Sequence, residues 1–194
     1  MRRNPWKTLE SRSMYKNAWL RVREDQVVRP DGGAGIYGVV EIRPSVGVLA
    51  FNEKNELAIV GQWRYALERY SYEIVRGGSG EGETDMLSVA KRELREEAGF
   101  EARDWEPFGS ADVCNGVTTD VQHFFLAKNL HFVGANQDPY EEIVTEWHSF
   151  DRALDMIMQG EMTEVCSIAA ILKYDRRLRG QSEFHSRSER VTQL

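Results

Sequence analysis

Residues 73–100 read EIVRGGSGEGETDMLSVAKRELREEAGF and join a glycine-rich segment to the most regular helical pattern in the chain. Leu87, Ala90 and Leu94 recur in it at the three- and four-residue spacing of one buried helix face. Gly99 follows the pattern, and glycine is a common residue just past the end of a helix. The stretch therefore predicts a helix over residues 84–98.

The predicted helix also carries three glutamates that are close in space. At about 100° per residue, Glu93, Glu96 and Glu97 fall on one narrow face, which we expect to lie away from the apolar stripe. Three adjacent carboxylates repel one another, and the negative end of the helix dipole adds to the cost. A solvated face would leave that cost uncompensated, so the pattern indicates a site for Mg²⁺ or Mn²⁺, which prefer oxygen ligands.

The glycine-rich run before the helix complements this metal hypothesis. Glycines leave the backbone open, so its amide and carbonyl groups can approach both a metal ion and a phosphate. A divalent cation beside such a loop suits phosphoryl chemistry.

Composition excludes several classes of protein. The 194 residues are 41% hydrophobic and 29% charged, which is typical of a folded domain and not of a disordered or fibrous chain. A formal charge of −6 argues against nucleic acid as a partner. Two cysteines are too few for a disulfide framework, and no apolar run approaches the roughly 20 residues of a membrane span. We expect a cytoplasmic protein without a membrane partner.

Strand patterns precede the glycine-rich segment. Loose alternation and a Pro-Asp-Gly-Gly turn predict an antiparallel hairpin from residues 19–28 and 36–42, a β-layer too small to bury its own core. Residues 46–51 and 57–60 are almost continuously apolar, which predicts a second hairpin that is buried on both faces.

The remaining chain alternates strands and helices. Apolar runs predict strands over residues 105–111, 121–127 and 143–150. We expect a helix at 151–159 capped by Asp151, and a last helix from Thr163 or Glu164 to Tyr174, before a polar tail. The order of elements predicts an α/β fold with a mixed sheet and an N-terminal β-extension.

The spacing of the glycine-rich segment and the helix resembles a known motif. Gly77, Glu83 and the run RELREEAGF at residues 92–100 are similar to the Nudix box, G-x5-E-x7-R-E-U-x-E-E-x-G-U with U apolar. The second half matches at every fixed position. Eight residues instead of seven separate Glu83 from Arg92, which a one-residue insertion before the helix explains.

Three further segments extend the resemblance along the chain. NAWLRV at residues 17–22, GQWRY at 61–65 and YEIVRG at 72–77 resemble the ADP-ribose pyrophosphatase and nucleoside-diphosphate-sugar hydrolase branch of the Nudix superfamily. The resemblance implies an α/β/α sandwich around a mixed sheet at residues 45–178, followed by a polar tail at 179–194. It also implies an N-terminal β-domain at residues 1–44 that is shared or exchanged across a homodimer.

The resemblance also implies roles for the residues of the motif. Glu93, Glu96 and Glu97 would bind Mg²⁺, for which Mn²⁺ could substitute, with the backbone of Gly77 as a further ligand. Arg92 would orient the glutamates. A late acidic loop would supply a general base, with Glu142 favoured over Glu141 and a merely solvated loop as the alternative.

The substrate contacts implied by the resemblance lie in four segments. Arg64 corresponds to an arginine that contacts the diphosphate or ribose, a task suited to a planar bidentate donor. Further candidates are Arg76, Glu73, Trp19, Gly116 and Asp120. The last two fall in a loop that only partly matches the family, so an ordinary Asn-Gly turn is the alternative there.

The sequence thus predicts Mg²⁺-dependent hydrolysis of the pyrophosphate bond of ADP-ribose or another nucleoside diphosphate sugar, which yields a nucleoside monophosphate and a sugar phosphate. Two alternatives stay open at this point. One is a Nudix hydrolase of dinucleoside polyphosphates or capped RNA, and the other is a catalytically silent module that binds nucleotide sugars.

Overall fold

The computed structural model describes residues 3–135 and 142–191, which form two β-sheets, three α-helices and a short 3₁₀ helix at Tyr65–Leu67. The strands are β1 (Lys7–Lys16), β2 (Leu20–Val28), β3 (Ala34–Ile42), β4 (Ser45–Ala50), β5 (Glu56–Arg64), β6 (Arg69–Gly78), β7 (Phe100–Asp112), β8 (Val121–Phe132) and β9 (Val144–Ser149). The helices are α1 (Met86–Ala98), α2 (Phe150–Met158) and α3 (Val165–Val191). This confirms an α/β fold with a mixed sheet and a small N-terminal antiparallel sheet.

The N-terminal sheet has three antiparallel strands in the order β1-β2-β3. The predicted hairpin is confirmed as β2 and β3. Strand β1 was not predicted, because all ten of its residues are exposed and its sequence has no buried alternation to reveal it.

The larger sheet has six strands in the order β7-β8-β4-β6-β5-β9. The predicted hairpin of β4 with β5 is wrong, since β6 lies between them and pairs antiparallel with both. Only an isolated bridge from Phe51 to Leu57 joins the two segments. Apolar runs show that strands are buried, as β4 is at every residue, but they do not determine which strand is the neighbour.

Helices cover both faces of the six-stranded sheet. Along β4, Val46 and Val48 face α1, whereas Leu49 faces α2 and α3. The predicted sandwich is therefore present, with one hydrophobic core on each side of the sheet.

The helix ends follow local capping chemistry. The N-cap of α1 is Asp85, whose side chain accepts a hydrogen bond from Leu87 N at 3.1 Å. The predicted cap of α2 is wrong, because Ser149 caps that helix and Asp151 lies in its first turn. Helix α3 continues to Val191, well beyond the predicted end at Tyr174. No helix in residues 3–135 or 142–191 is long and apolar enough to cross a membrane.

The N-terminal sheet is joined to the larger one through the edge of β3. Val40 N donates to Val117 O at 2.9 Å, and Thr119 N donates to Val40 O at 3.1 Å. Ile42 N donates to the hydroxyl of Thr119 at 3.0 Å. These bonds fix the loop between β7 and β8 against the N-terminal sheet.

Gly99 provides a test of the fold. It adopts a left-handed backbone with φ of +77°, and a Cβ there would lie 2.7 Å from Ala135 N. We expect Gly99→Ala to lower the free energy of unfolding by about 1–3 kcal/mol, because alanine resists this conformation and has no room. Urea denaturation measures the loss. Gly38→Ala, where a Cβ meets nothing within 4 Å, is the control, and equal midpoints for the two variants would contradict the account.

Candidate active site

The candidate site begins where α1 packs against β6. Glu93 and Glu97 are only 7% and 5% exposed, and both carboxylates lie against the backbone of the strand. Glu97 Oε2 accepts a hydrogen bond from Arg76 N at 3.1 Å. A Cβ at Gly77 would lie 2.1 Å from the carboxyl carbon of Glu93, so only glycine leaves room for that side chain.

The expectation that the glutamate face lies away from the apolar stripe is wrong. Glu97 lies seven positions after Ala90, which is nearly two full turns, so the two side chains point the same way. Both are buried with Leu94 in the structure. The seven-residue spacing was the signal that could have revealed the burial of Glu97.

Arg92 connects the exposed side of this cluster to the glycine-rich loop. Its guanidinium lies 2.8 Å from carboxylate oxygens of both Glu93 and Glu96, and it donates to Gly78 O at 3.0 Å. It also reaches Glu83 at 3.3 Å. Burial alone would lower the pKa of Arg92, but the nearby glutamates hold it above its usual range. The contacts suit the predicted orienting role of Arg92.

The donor set fits a hard divalent cation in its chemistry. Among residues 3–135 and 142–191, no three acidic, histidine or cysteine side chains are gathered closely enough to hold a metal ion. Nevertheless, the Glu93 carboxylate packs directly against the backbone of Gly77, and Glu96 and Glu97 lie within the next helical turn. Mg²⁺ favours oxygen ligands such as these carboxylates and a backbone carbonyl, and glycine leaves its carbonyl open to a metal ion.

Two predicted substrate residues, Arg64 and Arg76, converge on Glu73. Arg64 donates to both carboxylate oxygens of Glu73 at 2.7 and 2.5 Å, and Arg76 lies 3.3 Å from one of them. The Glu73 side chain is 1% exposed, whereas the Arg64 side chain is about one third exposed. The buried carboxylate therefore fixes both arginines, and their predicted contact with substrate stays a prediction.

Sequence reasoning missed one member of this ion network. Glu164 Oε1 lies 3.7 Å from Arg76, and its carboxylate accepts hydrogen bonds from Cys166 N and Ser167 N at the start of α3. The sequence placed Glu164 at a helix start. Nothing in the local sequence connects it to Arg76, because sheet topology brings the two together.

The other predicted substrate residues lie in loops. Trp19 is 75% exposed in the turn between β1 and β2. Gly116 O accepts a hydrogen bond from the Tyr37 hydroxyl at 2.8 Å, and buried Asp120 accepts one from Ser45 Oγ at 2.9 Å. The last two contacts join the loop to β3 and β4, and the predicted substrate roles stay predictions.

The predicted general bases fall at the edge of the described chain. Glu141 lies outside the described residues, whereas Glu142 is described and exposed. Glu142 precedes buried Ile143, and Thr145 just beyond donates a hydrogen bond to Glu97 O at 3.3 Å. This contact anchors the chain after Glu142 to the C-terminal end of α1, beside the glutamates.

A groove of about 950 Å³ runs along the outer side of α1. Arg92 and Glu96 form part of its wall, together with Trp105. Val133, Gly134 and Ala135 also line this groove.

Two family models match this chain. The NUDIX domain matches residues 41–165, and a domain described as the nucleoside diphosphate sugar hydrolase N-terminal domain matches residues 6–40. The first match covers the six-stranded sheet together with the glutamate cluster.

Three relatives span most of the chain. The ADP-ribose pyrophosphatase of Mycobacterium tuberculosis is 29% identical over 89% of this chain and 84% of its own. The ADP-ribose pyrophosphatase of Bacillus subtilis is 27% identical over 85% of this chain and 90% of its own. The methanol dehydrogenase activator of Bacillus methanolicus is 26% identical over the same shares. A crystal structure of an ADP compounds hydrolase shares the fold, with a TM-score of 0.81, 18% identity and coverage of 91% of this chain and 95% of its own.

The ion pair of Glu73 makes a pH-dependent prediction. Burial favours the neutral acid, but Arg64 and Arg76 outweigh it and hold the pKa of Glu73 below its usual 4.5. The ionised carboxylate therefore stabilises the folded protein above pH 4.5, and this contribution is lost as the pH falls through the lowered pKa. We expect Glu73→Gln to cost about 1–3 kcal/mol at pH 7 and progressively less in acid. Urea denaturation from pH 7 to pH 3 measures the difference, and a constant difference would refute the assignment.

Proposed function

The chain belongs to the NUDIX family, and we propose that it hydrolyses the pyrophosphate bond of ADP-ribose or another nucleoside diphosphate sugar with the help of a divalent metal ion. The observation that carries this proposal is the packing of Glu93 and Glu97 against the backbone of Arg76 and Gly77. Two relatives that carry the name ADP-ribose pyrophosphatase, and the match to a nucleoside diphosphate sugar hydrolase N-terminal domain, support the substrate class.

We assign the metal to the cluster on α1. Glu93, Glu96 and Glu97, with the backbone of Gly77, would hold Mg²⁺, and Mn²⁺ would substitute for it. When bound, the cation neutralises the diphosphate charge and lowers the pKa of a coordinated water. Arg92, which contacts Glu93 and Glu96, would keep their carboxylates oriented.

The arginine pair would bind the diphosphate. Arg64 and Arg76 present several N–H donors, and a planar guanidinium matches two phosphate oxygens at once. Because Glu73 is buried beneath both arginines, they are oriented before substrate arrives and lose less conformational entropy on binding.

A carboxylate of the late loop would act as general base. Glu142 is our candidate, with Glu141 as its alternative. The carboxylate takes a proton from the attacking water while the water oxygen bonds to phosphorus and the bridging P–O bond breaks. A nucleoside monophosphate and a sugar phosphate leave. The exposure of Glu142 leaves it accessible to water.

We further propose that residues 1–44 form a domain that mediates a homodimer, ahead of a hydrolase domain at 45–178 and a tail at 179–194. Large apolar side chains are exposed on the N-terminal sheet, among them Leu9, Met14, Tyr15 and Ile36. A second copy of the chain would cover them and remove their apolar area from water.

The catalytic prediction uses a substrate panel with Mg²⁺. We expect release of nucleoside monophosphate from ADP-ribose or another nucleoside diphosphate sugar, in preference to a dinucleoside polyphosphate or capped RNA. Glu96→Gln and Glu97→Gln should each lower kcat/KM by about 100-fold or more, since each removes a metal ligand.

Glu106→Gln is the matched control for that experiment. Glu106 is an exposed glutamate on β7 whose partner is Arg177, so its loss should leave activity unchanged. Full activity in both α1 variants would exclude the assigned metal site, and turnover of only capped RNA or dinucleoside polyphosphate would exclude the substrate class.

The dimer prediction uses light scattering coupled to gel filtration. The wild-type protein should elute with twice the mass of one chain, and Met14→Lys combined with Ile36→Lys should shift it towards the monomer, because a buried lysine charge is costly. Met158→Lys changes an even more exposed methionine, on α2, and should leave the dimer intact. A monomeric wild type, or a double variant that remains dimeric, would contradict the proposal.

A further inference from the structure

Arg43 connects the N-terminal sheet to the glycine-rich loop. Its Nε donates to Ser79 O at 2.8 Å, and a terminal nitrogen of the same guanidinium donates to Ala18 O at 2.9 Å. Both acceptors are backbone carbonyls of segments that are remote in sequence. Among the described residues, Arg43 forms no salt bridge, so these two hydrogen bonds define its position.

One end of this connection fixes the glycine-rich loop. Ser79 directly follows Gly77 and Gly78, and its own N–H donates to Pro44 O at 2.9 Å. Residues 43 and 44 therefore hold both backbone groups of Ser79. Glycine-rich segments lose more conformational entropy than others when they are ordered, so a loop of this composition needs such external bonds.

The other end fixes the turn that presents Trp19. The Asn17 side chain accepts hydrogen bonds from Trp19 N at 2.8 Å and Leu20 N at 2.9 Å, which makes the turn rigid. The indole itself is 75% exposed, so the core does not explain its position. One guanidinium, that of Arg43, donates both to the carbonyl of Ala18, the neighbour of Trp19, and to the carbonyl of Ser79 in the glycine-rich loop.

We propose that Arg43 is a positioning residue that fixes the Trp19 indole relative to the glycine-rich loop, so that the base and the diphosphate of one nucleotide sugar are bound together. The inference rests on the proposed function and adds to it the part of the site that binds the base. Stacking of a base on an indole needs a fixed ring, whereas the metal and the arginines bind only the diphosphate. Arg43 acts through Ala18 and Ser79 and does not touch the substrate.

Replacing Arg43 by lysine separates a positioning role from a purely electrostatic one. Lysine keeps the positive charge, but its single ammonium does not present two donors in a fixed plane to two carbonyls. Arg43→Lys should therefore raise KM for ADP-ribose about tenfold while kcat stays within about threefold, because binding of the base is weakened and the chemical step is not. Arg29→Lys, in the turn between β2 and β3, is the control and should leave KM unchanged, because among the described residues the Arg29 side chain pairs only with Asp31.

A double variant tests the route through Trp19. If Arg43 acts by fixing the indole, Trp19→Ala with Arg43→Lys should raise KM no further than Trp19→Ala alone. Additive effects of the two changes, or a wild-type KM in Arg43→Lys, would overturn the inference even though the enzyme still hydrolyses nucleotide sugars.

Hydrogen exchange tests the same connection without catalysis. Arg43→Lys should speed exchange of the Ser79 and Leu20 amides together, since one side chain holds both segments. Unchanged exchange at either amide would overturn the connection. A wild-type protein that hydrolyses no nucleoside diphosphate sugar would refute the proposed function and the substrate role of Trp19, and exchange would then decide whether Arg43 joins the two segments.

Discussion

The contact between the glutamates of α1 and the backbone of β6 organises the rest of the structure. Glu97 accepts a hydrogen bond from Arg76 N, and Glu93 occupies the space that a side chain at Gly77 would fill. Arg76 N and the guanidinium of Arg92 offset part of the cost of burying these two carboxylates, and the proposed cation would bind to the same side chains. This contact fixes α1 against the glycine-rich end of β6, and the proposed chemistry depends on it.

The arginines around that contact are each paired with at least one carboxylate. Glu73 lies beneath Arg64 and Arg76, Glu164 joins them from α3, and Arg92 spans the exposed side of the glutamates. Each cation is held by a carboxylate that is more buried than itself. The positive groups are therefore oriented by the core and remain partly exposed, which suits the binding of a polyanion at neutral pH.

The sequence predicts local features of this protein better than long-range ones. Apolar spacing predicted the start of α1 to within two residues, and Gly99 predicted its end, because both signals are local. The pairing of β4 with β6 was missed, since a run of apolar residues does not specify its neighbour. The motif identified Glu93 and Gly77 together, but their contact, and that of Arg76 with Glu164, depends on packing between separate elements. The hydrogen bonds from Arg43 to the carbonyls of Ala18 and Ser79 could not be predicted from the local sequence either.

Anomalous diffraction from crystals soaked in Mn²⁺ tests the central claim most directly, because it locates the ion without relying on turnover. The account predicts a peak bounded by Glu93, Glu97 and the backbone of Gly77, with Glu96 at its edge, and loss of that peak in Glu93→Gln crystals. A peak bound elsewhere in the protein, with none at these carboxylates under saturating Mn²⁺, would contradict it.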